Sequence, residues 1–509
     1  MKKILSTALA LALCLPMSAQ LLRTTVAQGE IEGELFEGFA LYRAIPYAEA
    51  PVGNLRWKAP VPKAPWQGVY KAEKWGNRPH QKTDPNQNGN DIAMSEDCLY
   101  LSVETPAKST AERLPVFVNI HGGAFATGSY SGTQESFCKE GIVYVSIEYR
   151  LGALGFMAHP ELAKESPDGI SGNYGIYDQI CALNWIHDNI AAFGGDPDQG
   201  TICGESAGGI SVSILCASPL CKGLFQRAIS ESGGNFCPVS AGGGMASSMK
   251  PFQLAQETGA AFQKKMKAKN LKQLRKVDAQ ALIDSTAQEN FWPVVDGIAI
   301  TGDQYKLYEQ GIYNDVDVMV GYNSDEGSLF VYQMPYSMYG QTMKSQFGEE
   351  WVAEAMKAYP ASNDQEALYA IQDIFRDSAF GWGSWAWCNL QSKTGKSNVY
   401  MYYFDQQSQN SILKNTRGAT HVAEMPFIYG WNWGSMTDTE THMAQIMPQY
   451  WINFIKTGNP NADGLPYWTT YKQGEATVMN MHNGFSLTKA PNQQQMDFFE
   501  EYFKSMRNK

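Results

Sequence analysis

Largely apolar runs recur along the chain at Leu114 to Ile120, Ile142 to Ile147, Leu224 to Ile229 and Val316 to Val320. Runs without polar alternation fit strands covered on both faces, as in a parallel sheet. Val399 to Phe404 is aromatic and β-branched, and reads as another strand. Arg23 to Tyr42 alternates apolar and polar residues between glycines, the pattern of a β-meander. Asp178 to Phe193 changes period, with Ile180, Leu183, Ile186 and Ile190 on one helical face. Lys250 to Ala287 is a polar, Lys/Gln/Ala-rich helical stretch, and Gln333 to Trp387 is rich in Met, Tyr, Phe and Trp. Thr83 to Asp91 reads as an exposed loop. Strand, helix, strand over such a length predicts an α/β fold with a doubly wound, mostly parallel sheet. Large insertions would form a lid over the strands' carboxyl ends, where open sheets take their ligands. No repeat and no linker divides residues 20–509, which are expected to form a single domain.

Met1-Lys2-Lys3, the apolar run Ile4 to Pro16 and Met17-Ser18-Ala19 have the layout of a signal peptide. Residues 1–19 are therefore expected to be removed and the protein to be exported, to the periplasm or beyond. No later apolar run is long enough to span a bilayer, so no membrane insertion is expected. The formal charge of −11 argues against a nucleic-acid partner. Cys216 and Cys221 are close enough in sequence to pair, and no Cys/His group has zinc spacing, so no metal is expected. A monomer or weak oligomer is expected.

The chemistry concentrates in Gly204-Glu205-Ser206-Ala207-Gly208, a G-x-S-x-G between a strand-like run ending at Cys203 and a helix-capable run from Ile210 to Ala217. Small flanking residues allow a sharp strand-to-helix turn that exposes the Ser206 hydroxyl. A serine needs a base, the base needs an orienting acid, and the reaction needs oxyanion donors. His421, in a small-residue loop after the Val399 strand, is the candidate base. His187 reads as a helix-surface residue. The acid should fall between Ser206 and His421, and Asp325 and Glu326 both qualify, in the turn after the Val316 strand. His121-Gly122-Gly123-Ala124-Phe125 follows the run ending at Ile120 directly. The N–H groups of Gly123 and Ala124, with that of Ala207, form a candidate oxyanion hole. Gly122, Glu205, Phe330 and Trp385 are candidate substrate contacts, the aromatic pair as the wall of an apolar pocket.

With these residues assembled, the chain resembles the carboxylesterase type B family, the cholinesterase/carboxylesterase branch of the α/β-hydrolases. The likeness rests on Ser95 to Leu101, His121 to Phe125, Tyr149 to Phe156, Phe193-Gly194-Gly195-Asp196-Pro197 leading into Ser206, Glu231-Ser232-Gly233, Asp325-Glu326-Gly327 and Gly418 to Glu424. The resemblance implies an α/β-hydrolase fold and a cofactor-free serine esterase acting on a small-molecule ester. Ser206 would be its nucleophile, His421 its base and Glu326 its acid. Ser232 would lie just behind them. The family's disulfide partner for Cys98 is missing, because Gly76 to Gln81 contains no cysteine. Deacetylation of sugars and cleavage of plant phenolic esters are narrower forms of the same reading. A non-catalytic binding protein on the same fold is the alternative from another class, and the intact Ser, His and acid argue against it.

Overall fold

A computed structural model of the chain describes residues 20–82, 92–130, 132–239, 249–286, 291–411, 413, 416–431 and 434–508. The expected signal peptide and the Thr83 to Asp91 loop lie outside the described residues.

Among the described residues, eleven strands form one sheet. They are β1 (Glu34–Phe36), β2 (Phe39–Pro46), β3 (Tyr100–Thr105), β4 (Leu114–Ile120), β5 (Val143–Ile147), β6 (Gly195–Glu205), β7 (Arg227–Glu231), β8 (Asp317–Asn323), β9 (Val399–Phe404), β10 (Thr477–Met481) and β11 (Phe485–Lys489). Their spatial order is β11-β10-β9-β8-β7-β6-β4-β5-β3-β2-β1. The strands from β10 through β5 in that order run parallel. The edges are antiparallel, β11 on one side and β3, β2 and β1 on the other. The apolar runs expected as buried strands are the middle of this sheet. Val118, Ile120, Val145, Ile202, Ala228 and Val320 are almost wholly buried, with helices on both faces. Parallel order follows from that double coverage. This is the α/β-hydrolase arrangement.

The structure shortens some predicted elements. The described part of the Lys250 to Ala287 stretch is three short helices, Phe252–Lys265, Leu271–Leu274 and Ala279–Asp284, because Met266 to Asn270 and Lys276 to Asp278 interrupt it. The helix read from Asp178 begins earlier, at Tyr174, and His187 is partly exposed on it beside Asp188. The insertion between β8 and β9 is helical: Tyr336–Ala358, Asp364–Arg376 and Trp382–Thr394, the last two joined by the π-turn Asp377–Gly381. A Cβ built on Gly327 would meet the Gln372 carbonyl at 2.0 Å, so this insertion packs directly on the turn after β8. The described cysteines, Cys216 and Cys221 among them, are free. Among the described residues no helix is long and apolar enough to cross a membrane, and no group of three or more His, Cys, Asp or Glu is placed to hold a metal ion.

Candidate active site

β6 ends at Glu205, and the Ala207–Ala217 helix starts one residue later. Ser206 between them has φ 58° and ψ −122°, a left-handed backbone that a serine adopts only under constraint. The constraint is visible around it. Ser206 N–H donates to the Glu231 carbonyl at 2.8 Å, and its own carbonyl accepts from Ile210 N–H at 2.9 Å. The glycines of the motif are there because no side chain fits. A Cβ on Gly208 would lie 2.1 Å from the Ile120 carbonyl, and one on Gly204 would lie 2.4 Å from the Gly208 carbonyl carbon.

The turn after β4 reaches the same place. A Cβ on Gly122 would lie 3.2 Å from the Ser206 Cβ. Gly123, Ala124 and Phe125 all have positive φ. Among the described residues, the N–H groups of Gly123 and Ala124 make no backbone hydrogen bond, and Ala207 N–H belongs to the open first turn of its helix. The loop is held from behind by a pair that the sequence did not reveal. His121 Nε2 lies 3.1 Å from Glu148 Oε2, Ser129 Oγ donates to Glu148 Oε1 at 2.8 Å, and Tyr149 stacks on the His121 ring at 4.4 Å.

Glu326 opens the 3₁₀ turn after β8 and is fully buried. Its Oε1 accepts from Ser232 Oγ at 2.6 Å and from Asn323 N–H at 2.8 Å. Its Oε2 lies 2.5 Å from His421 Nδ1. The neighbouring Asp325 faces elsewhere, accepting from Arg417 N–H at 2.9 Å. The pair left open by pattern alone is thus separated by geometry, with Glu326 on the histidine. Asp325 N–H donates to the Ala419 carbonyl at 2.8 Å, which ties the acid turn to the loop carrying His421.

His421 is buried, with its Nε2 turned toward Glu205 Oε1 at 3.1 Å. Phe380 stacks on its ring at 4.8 Å and 17°, and Phe330 lies 5.2 Å from it and 4.5 Å from Phe375. Phe330 is 42% exposed. Trp385 does not join this wall. It lines a separate cleft with Tyr305, Lys393 and Glu500. Trp382 and Trp387 are buried packing residues, tied by their indole N–H groups to Glu500 and Gln391. The ring over His421 is Phe380 because the π-turn adds a residue to the helical repeat. Such bulges are frequent at functional sites and have no simple signature in a hydrophobic pattern.

The site is rich in buried carboxyl groups. Burial raises Glu205 well above the usual carboxylate range. Burial also raises Glu231, which accepts from Trp451 Nε1 at 2.7 Å, to about 8. Glu424, whose carboxylate accepts from Asn323 Nδ2, is raised by burial to about 7. Burial pulls His421 down, but the surrounding carboxylates outweigh it and bring the imidazole up to about 9. So many carboxylates cannot all ionise in one dry pocket. Glu326 has partners on both oxygens, Ser232 and Asn323 on one and His421 on the other.

These buried groups make stability depend on pH. Glu231 and Glu424 keep their protons when folded to higher pH than when unfolded, so the folded state binds more protons above pH 4.5. Stability should therefore fall as pH rises from about 5 to 8. His421 acts in the same direction between its ordinary value of 6.5 and about 9. Chemical denaturation across this range should give a declining midpoint, and Glu231→Gln should flatten the decline. A midpoint that rises with pH would contradict the assignment.

Most of the chain matches known proteins. The model of the Carboxylesterase family matches residues 20–499. A para-nitrobenzyl esterase of Bacillus subtilis (strain 168) is 31% identical over 92% of this chain and 96% of its own length. A human cocaine esterase is 32% identical over 90% of this chain and 87% of its own. The solved structure of a PNB esterase superposes with a TM-score of 0.80 at 30% identity, covering 94% of this chain and all of that one. The chain belongs to the carboxylesterase family and is a carboxylic ester hydrolase.

Proposed function

We propose that the protein hydrolyses small to medium apolar or aromatic esters through an acyl-enzyme on Ser206. The observation that carries this reading is His421, fixed through Nδ1 by Glu326, with Nε2 turned to Glu205, the residue that precedes Ser206 on a strained strand-to-helix turn.

Ser206 Oγ attacks the ester carbonyl carbon while His421 Nε2 takes its proton. The imidazolium that forms is balanced by Glu326 across the 2.5 Å contact. Charge developing on the carbonyl oxygen is met by the N–H groups of Gly123, Ala124 and Ala207. Removing one such donor typically costs about 3–4 kcal/mol in the transition state. His421 then returns its proton to the departing alcohol. Water, deprotonated by His421, attacks the acyl-enzyme, and the acid leaves with Ser206 restored. Nothing in these steps calls for a cofactor.

The preference for apolar or aromatic groups is supported by Phe330, Phe375 and Phe380, which wall the histidine with rings and bring no charge. The names of relatives fit a family that takes unlike esters: fumonisin B1 for one, cocaine for another. We also infer export, with residues 1–19 removed after Ala19. Two measurements test the reading. Paraoxon should abolish activity while adding one diethylphosphoryl group, found by peptide mass on Ser206. In a panel of p-nitrophenyl esters, kcat/KM should favour neutral acyl groups over a succinyl ester. Full activity after stoichiometric labelling of Ser206, or preference for the charged ester, would overturn it.

A further inference from the structure

Arg376, 7% exposed, ends the Asp364–Arg376 helix, and its guanidinium joins separate segments around the histidine. Nε and Nη2 donate to the two carboxylate oxygens of Asp377, at 2.7 and 3.0 Å, where the π-turn begins. Nη1 donates to the carbonyl of Ser324, in the turn that carries Glu326, at 3.1 Å. Nη1 also donates at 2.9 Å to Asp373, whose carboxylate accepts two further bonds from Arg417 at 2.7 and 3.1 Å. Arg417 belongs to the loop that carries His421. We propose that Arg376 is a positioning residue for Glu326 and His421, which clamps the acid turn, the histidine loop and the π-turn of Phe380 in one arrangement. The role rests on the Ser206 mechanism and adds to it a residue that acts without touching the ester.

The acid turn and the histidine loop already meet through main chain. Ala419 N–H donates to Ser324 Oγ at 2.9 Å, and Asp325 N–H donates to the Ala419 carbonyl at 2.8 Å. The approach is close enough that a Cβ on Gly418 would lie 2.2 Å from Ser324 Oγ. These bonds do not include the insertion, yet the insertion supplies the ring over His421. Phe380 stacks on the imidazole at 4.8 Å and lies in the π-turn that opens at Asp377. Arg376 ties that opening to the Ser324 carbonyl, and Tyr359 OH holds Asp377 from the other side at 2.8 Å. Asp373 then carries the tie on to Arg417, whose own N–H donates to Asp325 Oδ2 at 2.9 Å.

Stability does not account for this arrangement. A buried ion pair is often no more stabilising than apolar side chains of similar volume. What the guanidinium gives is direction, because its N–H donors lie in one rigid plane and leave each acceptor a defined place. A lysine would keep the charge but present a single point on a flexible stem, and could not hold Asp377, Asp373 and the Ser324 carbonyl in the same geometry. The contact at stake is short, with Glu326 Oε2 at 2.5 Å from His421 Nδ1. Misplacing a catalytic group by about 1 Å can cost roughly a hundredfold in rate.

Arg376→Lys and Asp373→Asn test the role on p-nitrophenyl acetate, with active sites counted by the p-nitrophenol that paraoxon releases as it phosphorylates Ser206. The Asp373 side chain is 25% exposed, so Asp373→Asn should fold even if Arg376→Lys does not. Arg376→Lys is expected to lower kcat per titrated site about tenfold and Asp373→Asn about threefold, with KM within about twofold of the parent. In a folded Glu326→Gln background, where the contact with His421 is already broken, either substitution should cost less than about twofold. A residue that merely supports the fold would reduce the number of titrated sites and leave kcat per site unchanged, or would cost the same factor in both backgrounds. Either of those results, or a loss confined to KM, overturns the positioning role while leaving the serine mechanism in place. A parent chain that paraoxon does not label overturns the Ser206 mechanism, and the role of Arg376 with it.

Discussion

Ser206→Ala is expected to lower kcat for a p-nitrophenyl ester by about a million-fold, the scale seen when a serine nucleophile is removed from an otherwise intact hydrolase. The remaining rate should exceed that in water, because the donors on Gly123, Ala124 and Ala207 and the aromatic wall are untouched. The backbone at this position supplies an internal control. Ser206 sits at φ 58° and ψ −122°, where any L side chain is strained by about 1–3 kcal/mol. Alanine inherits that strain, so the variant should melt close to the parent. Ser206→Gly should be equally inactive but should relieve part of the strain, for a gain of up to about 1 kcal/mol after the entropy cost of glycine. Equal inactivity with different stability would separate the chemistry of the hydroxyl from the architecture of the turn. If Ser206→Gly were less stable than Ser206→Ala, the strain would not reside at this residue.

That strain explains why the elbow is legible in the sequence alone. Small residues at Gly204, Gly208 and Gly209 are required by contacts of 2–3 Å, and a requirement that strict leaves its mark on the sequence. The central strands are legible for a related reason, since burial on both faces removes polar residues from them. β10 and β11 lie at the sheet edge, where β11 is mostly exposed and its pattern is no longer apolar. Nothing in Phe485 to Lys489 therefore announces a strand. Composition misplaces the wall over His421 onto Trp385, because it reveals an aromatic insertion without revealing which face of it turns inward. The π-turn at Asp377–Gly381 resets that face by one residue. The carboxyl cluster escapes for another reason. Glu205, Glu231, Glu326 and Glu424 end or follow different strands, and only the order of those strands in the sheet brings them together. Pattern also cannot divide Asp325 from Glu326, which are adjacent in one turn. The division rests on partners supplied by Ser232, Asn323 and Arg417.

Those partners determine what Glu326→Gln should do. An amide keeps the size of the carboxylate but must commit one end to donate. Asn323 N–H, a backbone donor that cannot reverse, points at the position of Oε1 at 2.8 Å. The amide oxygen must therefore take that place, where Ser232 Oγ can also donate to it. The amide nitrogen is left facing His421 Nδ1, and two N–H groups cannot share that contact. The imidazole answers by moving its proton to Nε2, the tautomer that cannot accept from Ser206. A loss of about 10⁴ in kcat is expected, without unfolding, as when the orienting acid of a comparable triad becomes an amide. The pH profile should shift as well. Glu326 is one of the carboxylates that hold His421 up near 9 against the pull of burial, so removing its charge lets the imidazole fall. A base of lower pKa stays unprotonated in more acidic solution. The residual activity of Glu326→Gln should therefore extend to lower pH than that of the parent. A variant with nearly full activity, or with its acid limb moved to higher pH, would show that Glu326 does not set the state of His421.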